Sequence, residues 1–218
     1  KQGAAAAGGA AAEGTAQQLI KTLTNTACGL LSSASDDVDT WQAEALDQVL
    51  ELWSDILFDV QMRSRMYPPN MAAMLSECCG MMFVAYVKNR MLMAEQEAKS
   101  GKERTEHFHD KDYLDEHLDD IAPIGRAAPA QSLQLMCTLL RERTQVITAA
   151  ANHKSNNSLS SIDVVKLRVA QEQVFWILKI LGHVMADPNE GETPMIPDSL
   201  VHLSNQTQGG GDPVVLAS

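Results

Sequence analysis

The sequence predicts an all-α protein, an α-solenoid of HEAT-like antiparallel helix hairpins. Hydrophobic residues recur every three or four positions in four long segments, no segment alternates as a strand does, and Pro, Gly or a polar turn separates the periodic segments. The chain has 218 residues, 45% of them hydrophobic, which is enough to form a core. A helix bundle fits the periodicity almost as well, and the spacing matches HEAT repeats of about 40–47 residues only loosely.

The N-terminal residues are mainly Ala and Gly, and we predict a disordered linker because such small side chains bury too little surface to offset ordering entropy. A short helix is predicted over 16–31. Since Lys1 is not a natural start, we expect the chain to be a piece of a longer solenoid. The predicted domains are a disordered linker over 1–15, HEAT-like helical repeats over 16–204 and a flexible loop over 205–218.

The clearest predicted helix begins at Trp41, with Asp39 or Thr40 as its N-cap, and ends before Pro68. Its apolar stripe is broad, which is typical of a helix packed on two neighbours. The residues predicted for this core stripe are Trp41, Ala45, Leu46, Val49, Leu50, Leu52, Trp53, Ile56, Leu57 and Val60.

A second long helix is predicted from an N-cap at Asn70 to a stop at Ser100 and Gly101. Lys88 and Arg90 are expected on the face opposite the core. The Met residues of this region indicate either core filling or an adaptable binding groove, and helical spacing favours the core. The predicted core residues are Met71, Met74, Leu75, Cys78, Met82, Ala85, Tyr86 and either Leu92 or Met93.

Three more helices are predicted after an acidic segment. The first resumes near Asp112 and meets a kink or break at Pro123 and Gly125. The next two run over about 129–151 and 162–185, and Pro197 opens a short terminal helix. The predicted core residues are Leu133, Met136, Leu140, Val146 and Ile147 in the earlier of these two helices, and Val165, Val169, Phe175, Leu178, Leu181 and Met185 in the later one.

The charge balance excludes some partners. With 17 Lys and Arg against 28 Asp and Glu, the net charge is -11, whereas a duplex-binding surface must be basic. The sequence has no apolar run of about 18 residues, so we expect no membrane-spanning helix. The acidic stretch over 103–120 is either a solvated insertion or a surface for a basic partner. The candidate partner-binding residues are Asp110, Asp112, Asp115, Glu116, Asp119 and Asp120.

No residue pattern indicates catalysis. The cluster formed by His107, His109, Asp110, Asp112 and His117 lacks the spacing of a closed tetrahedral zinc site, so we expect a solvated loop, no metal and no cofactor.

Reactive thiols need positive, partly exposed surroundings. Cys78, Cys79 and Cys137 lie among apolar helical residues, and we predict that they are buried structural thiols. An enzyme is therefore not expected.

Two segments resemble nuclear export receptors of the importin-β (karyopherin) family. The first covers 115–128, including Ile124, Gly125 and Arg126, and the second covers 173–187 and continues into the turn Gly191-Glu192-Thr193-Pro194. The turn is the most specific element, and the order and spacing of the two segments agree with the family. Only the helical pattern agrees over 41–93.

The resemblance implies a HEAT-repeat superhelix that carries protein cargo through nuclear pores together with Ran-GTP. It implies contacts with nuclear pore proteins and shuttling between nucleus and cytoplasm, and it adds no catalytic residue. From the residues alone, a helical-repeat scaffold for protein–protein interaction, unrelated to Ran, stays an open alternative.

Overall fold

The computed structural model describes residues 2–33, 40–63, 69–100, 111–154, 161–186 and 195–208. These residues contain no β-strand, which confirms the all-α prediction. The helices are α1 (Gln2–Ser33), α2 (Trp41–Met62), α3 (Pro69–Ser100), α4 (Lys111–Ala127), α5 (Pro129–Lys154), α6 (Ser161–Met185) and α7 (Asp198–Gln208).

Helix α3 lies at the centre of the packing. It contacts α1, α4, α5 and α6, while α4 contacts α2, α5, α6 and α7 in addition to α3. The core runs along α3, where Phe83 and Met82 are fully buried, and the same hydrophobic cluster includes Trp53 of α2 and Ile177 of α6. One continuous hydrophobic core therefore joins α1, α2, α3, α4, α5 and α6.

Helix α1 begins at Gln2, so the structure places residues 2–15 in a helix where the composition predicts a disordered linker. Ala is the strongest helix former, and the Ala runs outweigh the cost of about 1 kcal/mol for each Gly. Further along α1, Ala27 and Leu31 are buried against the core. Thr24 is buried as well, and its hydroxyl donates to the Ile20 carbonyl oxygen at 2.8 Å.

The start of α2 follows the prediction. The Thr40 Oγ1 atom accepts a hydrogen bond from the backbone N–H of Ala43 at 3.2 Å, which confirms Thr40 as the N-cap. The predicted core stripe is wrong at Trp41, which is 68% exposed, and at Leu52. A stripe this broad contains two candidate faces, and the neighbours α1 and α4 cover the one formed by Ala43, Leu46, Leu50 and Trp53.

Helix α3 begins with Pro69 and ends at Ser100, close to both predicted boundaries. Asn70 lies in the first turn, where its side-chain oxygen accepts from the Met71 N–H at 3.0 Å. The predicted core face is confirmed at Met71, Leu75, Cys78, Met82 and Tyr86, whereas Leu92 is exposed.

By length and composition, residues Asn70–Ser100 of α3 are apolar enough to cross a membrane. Half of the qualifying window is buried inside the protein, and four other helices contact α3. The apolar composition of α3 is accounted for by its place in the core.

Helix α4 continues through Pro123 and Gly125 to Ala127, so of the predicted kink or break, the break does not occur. Proline removes one backbone N–H from the ladder, and packing against five helices holds α4 in place. At its end, the Ser76 hydroxyl of α3 donates to the Ala127 carbonyl oxygen at 2.7 Å.

The last two long helices have the predicted extents, and their predicted faces are only partly confirmed. In α6, Phe175, Leu178 and Met185 are exposed, while Ala170, Trp176, Ile177, Ile180 and Val184 are buried. In α5, Met136 is buried as predicted and Val146 is exposed. Both sides of α6 are apolar, so periodicity does not select the face that α3 and α5 cover.

Gly125 and Gly182 form a matched pair for a stability test. A Cβ at buried Gly125 would lie 2.8 Å from Cε2 of Phe83 and 3.2 Å from Cγ2 of Val184, while at exposed Gly182 it would meet nothing within 4 Å. We expect Gly125→Ala to lower the free energy of unfolding by about 1–2 kcal/mol through overpacking. Gly182→Ala is expected to raise it by about 0.5–1 kcal/mol through helix propensity. Urea denaturation followed by circular dichroism measures both; equal shifts in the two variants would contradict the close packing of α4 on α3 and α6.

Candidate functional site

The junction between the C-terminal ends of α4 and α6 is built around Arg126. Its guanidinium donates hydrogen bonds to the backbone oxygens of His183 (2.6 Å), Val184 (3.1 Å) and Ala186 (2.9 Å). The last carbonyls of a helix have no partner within the helix and carry the negative end of its dipole. Arg126 therefore satisfies three of these acceptors and fixes the end of α6 against α4.

Two further contacts complete this junction. The ring nitrogen Nδ1 of His183 lies 2.9 Å from a carboxylate oxygen of Asp119, and Gly125 packs directly against Phe83 and Val184. Segments 115–128 and 173–187, which carry the family resemblance, thus contact each other in the structure. At this junction the residues that resemble the receptor family hold α4 and α6 together. None of the contacts described there resembles a catalytic arrangement.

A second polar cluster joins α3 to α6 inside the core. The Arg90 side chain is only 5% exposed; its Nη2 atom lies 3.1 Å from Oε1 of Glu97, and its guanidinium carbon lies 3.6 Å from the Trp176 ring centroid. Beside it, the buried Gln173 side chain donates to the Met91 carbonyl oxygen at 2.9 Å. The prediction that Arg90 faces away from the core is wrong, because an acidic and an aromatic partner compensate the burial of its charge.

An acidic surface spans α2 and α4. His117 of α4 contacts Asp47 of α2, with 2.6 Å between Nε2 and Oδ1. Partial burial raises the pKa of the neighbouring Asp120 carboxyl, and the negative charges of Asp47, Asp119 and Glu51 raise it further, while His117 opposes them. Carboxylates from two helices are therefore close enough to repel one another.

This surface contains two of the six predicted partner-binding residues. Asp119 is exposed and Asp120 is half-buried. Asp112, Asp115 and Glu116 belong to α4, but their side chains lie outside the described residues, as does all of Asp110. Partner binding by the six residues stays a prediction.

Of the cluster formed by His107, His109, Asp110, Asp112 and His117, the structure describes only the side chain of His117, whose ring contacts Asp47. His107, His109 and Asp110 lie outside the described residues. Within the described part of the chain, no group of three or more His, Cys, Asp or Glu side chains is arranged to hold a metal ion.

The cysteines are all free thiols. Burial raises the pKa of the Cys79 thiol to about 12, with a smaller contribution from Cys78, and burial also raises the pKa of Cys28. Cys28 and Cys79 are therefore protonated at neutral pH and poor nucleophiles. Burial is confirmed for Cys78 and Cys79, whereas Cys137 is exposed on α5, contrary to the prediction.

Comparison with known proteins gives one partial similarity. The chain is 26% identical over 141 residues to exportin-4 of Dictyostelium discoideum, and the match covers 58% of this chain. It covers 11% of the length of exportin-4, so the chain spans about one ninth of that relative. No protein-family model matches the chain, and no solved structure matches it.

Removing Glu97 tests whether the buried charge of Arg90 depends on its carboxylate partner. Glu97→Ala leaves the Arg90 charge in the core without its carboxylate, and we expect a loss of about 2–3 kcal/mol in the free energy of unfolding, at the low end for a buried pair because Glu97 is partly exposed. Glu95→Ala, on the same helix, removes the exposed partner of Lys99 and is the matched control, with no measurable change expected. Chemical denaturation of both variants provides the comparison; similar small losses would show that the Arg90 charge does not depend on Glu97.

The raised pKa of Asp120 predicts a pH-dependent effect. Because the pKa of Asp120 in the folded protein lies above the ordinary value of 3.8, its carboxyl destabilises the protein increasingly as pH rises from 3.8 through the raised pKa, and the effect is constant above that pKa. Asp120→Asn should therefore stabilise the protein at pH 7, by less than about 1 kcal/mol after solvent screening, and the gain should disappear below pH 3.8.

Thermal melts between pH 3 and pH 7 measure this effect. Asp55→Asn, which removes an exposed carboxylate from α2, controls for the change in net charge. A gain from Asp120→Asn that stays constant over the whole pH range would contradict the assignment.

Proposed function

We propose that this chain is a segment of a nuclear export receptor that carries protein cargo through the nuclear pore together with Ran-GTP. The observation that carries the proposal is the similarity to exportin-4 over 141 residues. The contacts of Arg126 and His183 support it, because the two segments that resemble the receptor family meet there across α4 and α6.

The proposed architecture is an α-solenoid of HEAT-like hairpins. Taken as successive pairs, α1 with α2, α3 with α4 and α5 with α6, the helices contact partners within their own pair and in the next pair. This pattern supports stacking, in which each repeat touches its neighbours and small rotations sum into a change of curvature. Ran-GTP and cargo would be coupled by favouring the same curvature.

Partners and location follow from the same proposal. The parent receptor would bind Ran-GTP, protein cargo and nuclear pore proteins and would shuttle between nucleus and cytoplasm. The acidic surface at Asp119 and Asp120 would receive a basic protein partner and would repel nucleic acid. We propose no enzymatic activity and no cofactor for this segment.

Ran binding provides the test. The full-length protein that contains this chain is immobilised and titrated with Ran loaded with a non-hydrolysable GTP analogue or with GDP. We expect binding to the GTP form to be at least about tenfold tighter, which corresponds to about 1.4 kcal/mol.

Titrating the immobilised protein with candidate cargo proteins, with and without Ran-GTP, measures the coupling between cargo binding and Ran binding. Binding to neither nucleotide form would refute the transport role.

A helical scaffold unrelated to Ran is the second candidate function. The observation that favours it is the contact between α4 and α7, which joins helices from pairs that are not adjacent and is typical of a compact bundle. A scaffold predicts partner binding that does not depend on the nucleotide bound to Ran.

A further inference from the structure

The outward face of α2 exposes large apolar side chains, two of which, Trp41 and Leu52, the sequence pattern assigns to the core. Trp41 is 68% exposed, Phe58 and Met62 are each 63% exposed, and Leu52 is 41% exposed. At 3.6 residues per turn these positions fall within an arc of about 120° on the side opposite Leu46 and Leu50. Since a helix of 22 residues is about 33 Å long, this arc forms an interrupted apolar ridge, with Trp41 at its N-terminal end and the other three side chains in its C-terminal half.

Carboxylates are interleaved with this ridge. Helix α2 contains five acidic residues and neither Lys nor Arg. Asp47 contacts His117, and Asp59 forms an ion pair with Arg63 at 3.0 Å. Within the described residues, Glu44, Glu51 and Asp55 form no ion pair, and all three are exposed on the same arc as the apolar side chains.

Neighbouring carboxylates extend the negative surface onto α4. Asp119 is exposed there, and Asp120 lies near Asp47 and Glu51. A cation placed between α2 and α4 would be attracted by both helices, whereas an anionic lipid surface would be repelled. A complementary ligand therefore needs both basic residues and an apolar stripe.

We infer that the outward face of α2 is a docking surface for a basic amphipathic helix of a partner protein. The apolar stripe of that helix packs on Trp41, Phe58 and Met62, and its Lys or Arg side chains pair with Glu44, Glu51 and Asp55. Helix-on-helix packing of this kind is a common mode of peptide recognition. The inference rests on the surface of α2 and does not require the transport role.

Trp41 provides the readout. Of the three tryptophans, Trp53 and Trp176 are buried, so Trp41 dominates the fraction of emission that acrylamide quenches. The 218-residue chain is titrated with a tryptophan-free helical peptide of about 18 residues that has Leu on one face and Lys on the other. A Leu/Glu peptide of the same pattern is the control.

We expect the Leu/Lys peptide to shift Trp41 emission to the blue and to lower its quenching, and the Leu/Glu peptide to do neither. Phe58→Ser with Met62→Ser should weaken peptide binding at least about tenfold, whereas Leu178→Ser with Met185→Ser, at exposed positions of α6, should not. Trp41→Phe should abolish the emission change while the peptide still binds, as measured by anisotropy of a labelled peptide.

Charge is tested separately with two triple variants that each remove three carboxylates. Glu44→Gln, Glu51→Gln and Asp55→Asn together should weaken binding about tenfold, and Glu77→Gln, Glu142→Gln and Asp198→Asn together should leave it unchanged. Equal weakening by both triples would mean attraction to net charge alone and would overturn the docking surface. If acrylamide quenching of Trp41 falls as the protein concentration rises in the absence of peptide, a second copy of the chain covers this face. That result would also overturn the inferred docking surface.

Discussion

The packing of this protein depends on burying α3 from several sides while accommodating the charge of Arg90 within the core. Four helices cover α3, and the Arg90 guanidinium lies between Glu97 and the Trp176 ring. An unpartnered charge at this depth would cost several kcal/mol. The position of α6 is therefore fixed by two requirements, the fit of Ile177 and Ile180 to the core and the contact of Trp176 with Arg90.

Polar groups at the end of α6 also need partners from a neighbouring helix. Its last carbonyl oxygens need donors, and Arg126 supplies them from α4. The residues that carry the resemblance to export receptors thus have a structural role in this segment, since they join α4 to α6. The partial similarity of 26% identity extends over 141 residues, and partner binding depends on the exposed surfaces of the helices.

Those surfaces divide into two chemical types. Helix α2 combines exposed aromatic and aliphatic side chains with carboxylates, whereas the exposed stripe of α6, with Phe175, Leu178 and Met185, is mainly apolar. The first is suited to a basic amphipathic partner. Under the proposed solenoid architecture, the second would pack against the next repeat, because each unit of such an array buries its apolar side against its neighbour.

The sequence by itself determined α2, α3, α5 and α6, limited the N-cap of α2 to Asp39 or Thr40 and identified five buried positions of α3, because these depend on local spacing and side-chain hydrogen bonds. The resemblance also came from local motifs around Arg126 and His183. Only the tertiary structure decided which face of α2 and α6 is buried, since both helices are apolar on more than one side and packing partners select the face. It likewise decided the burial of Arg90 and the crowding of Asp120, because both depend on residues distant in sequence.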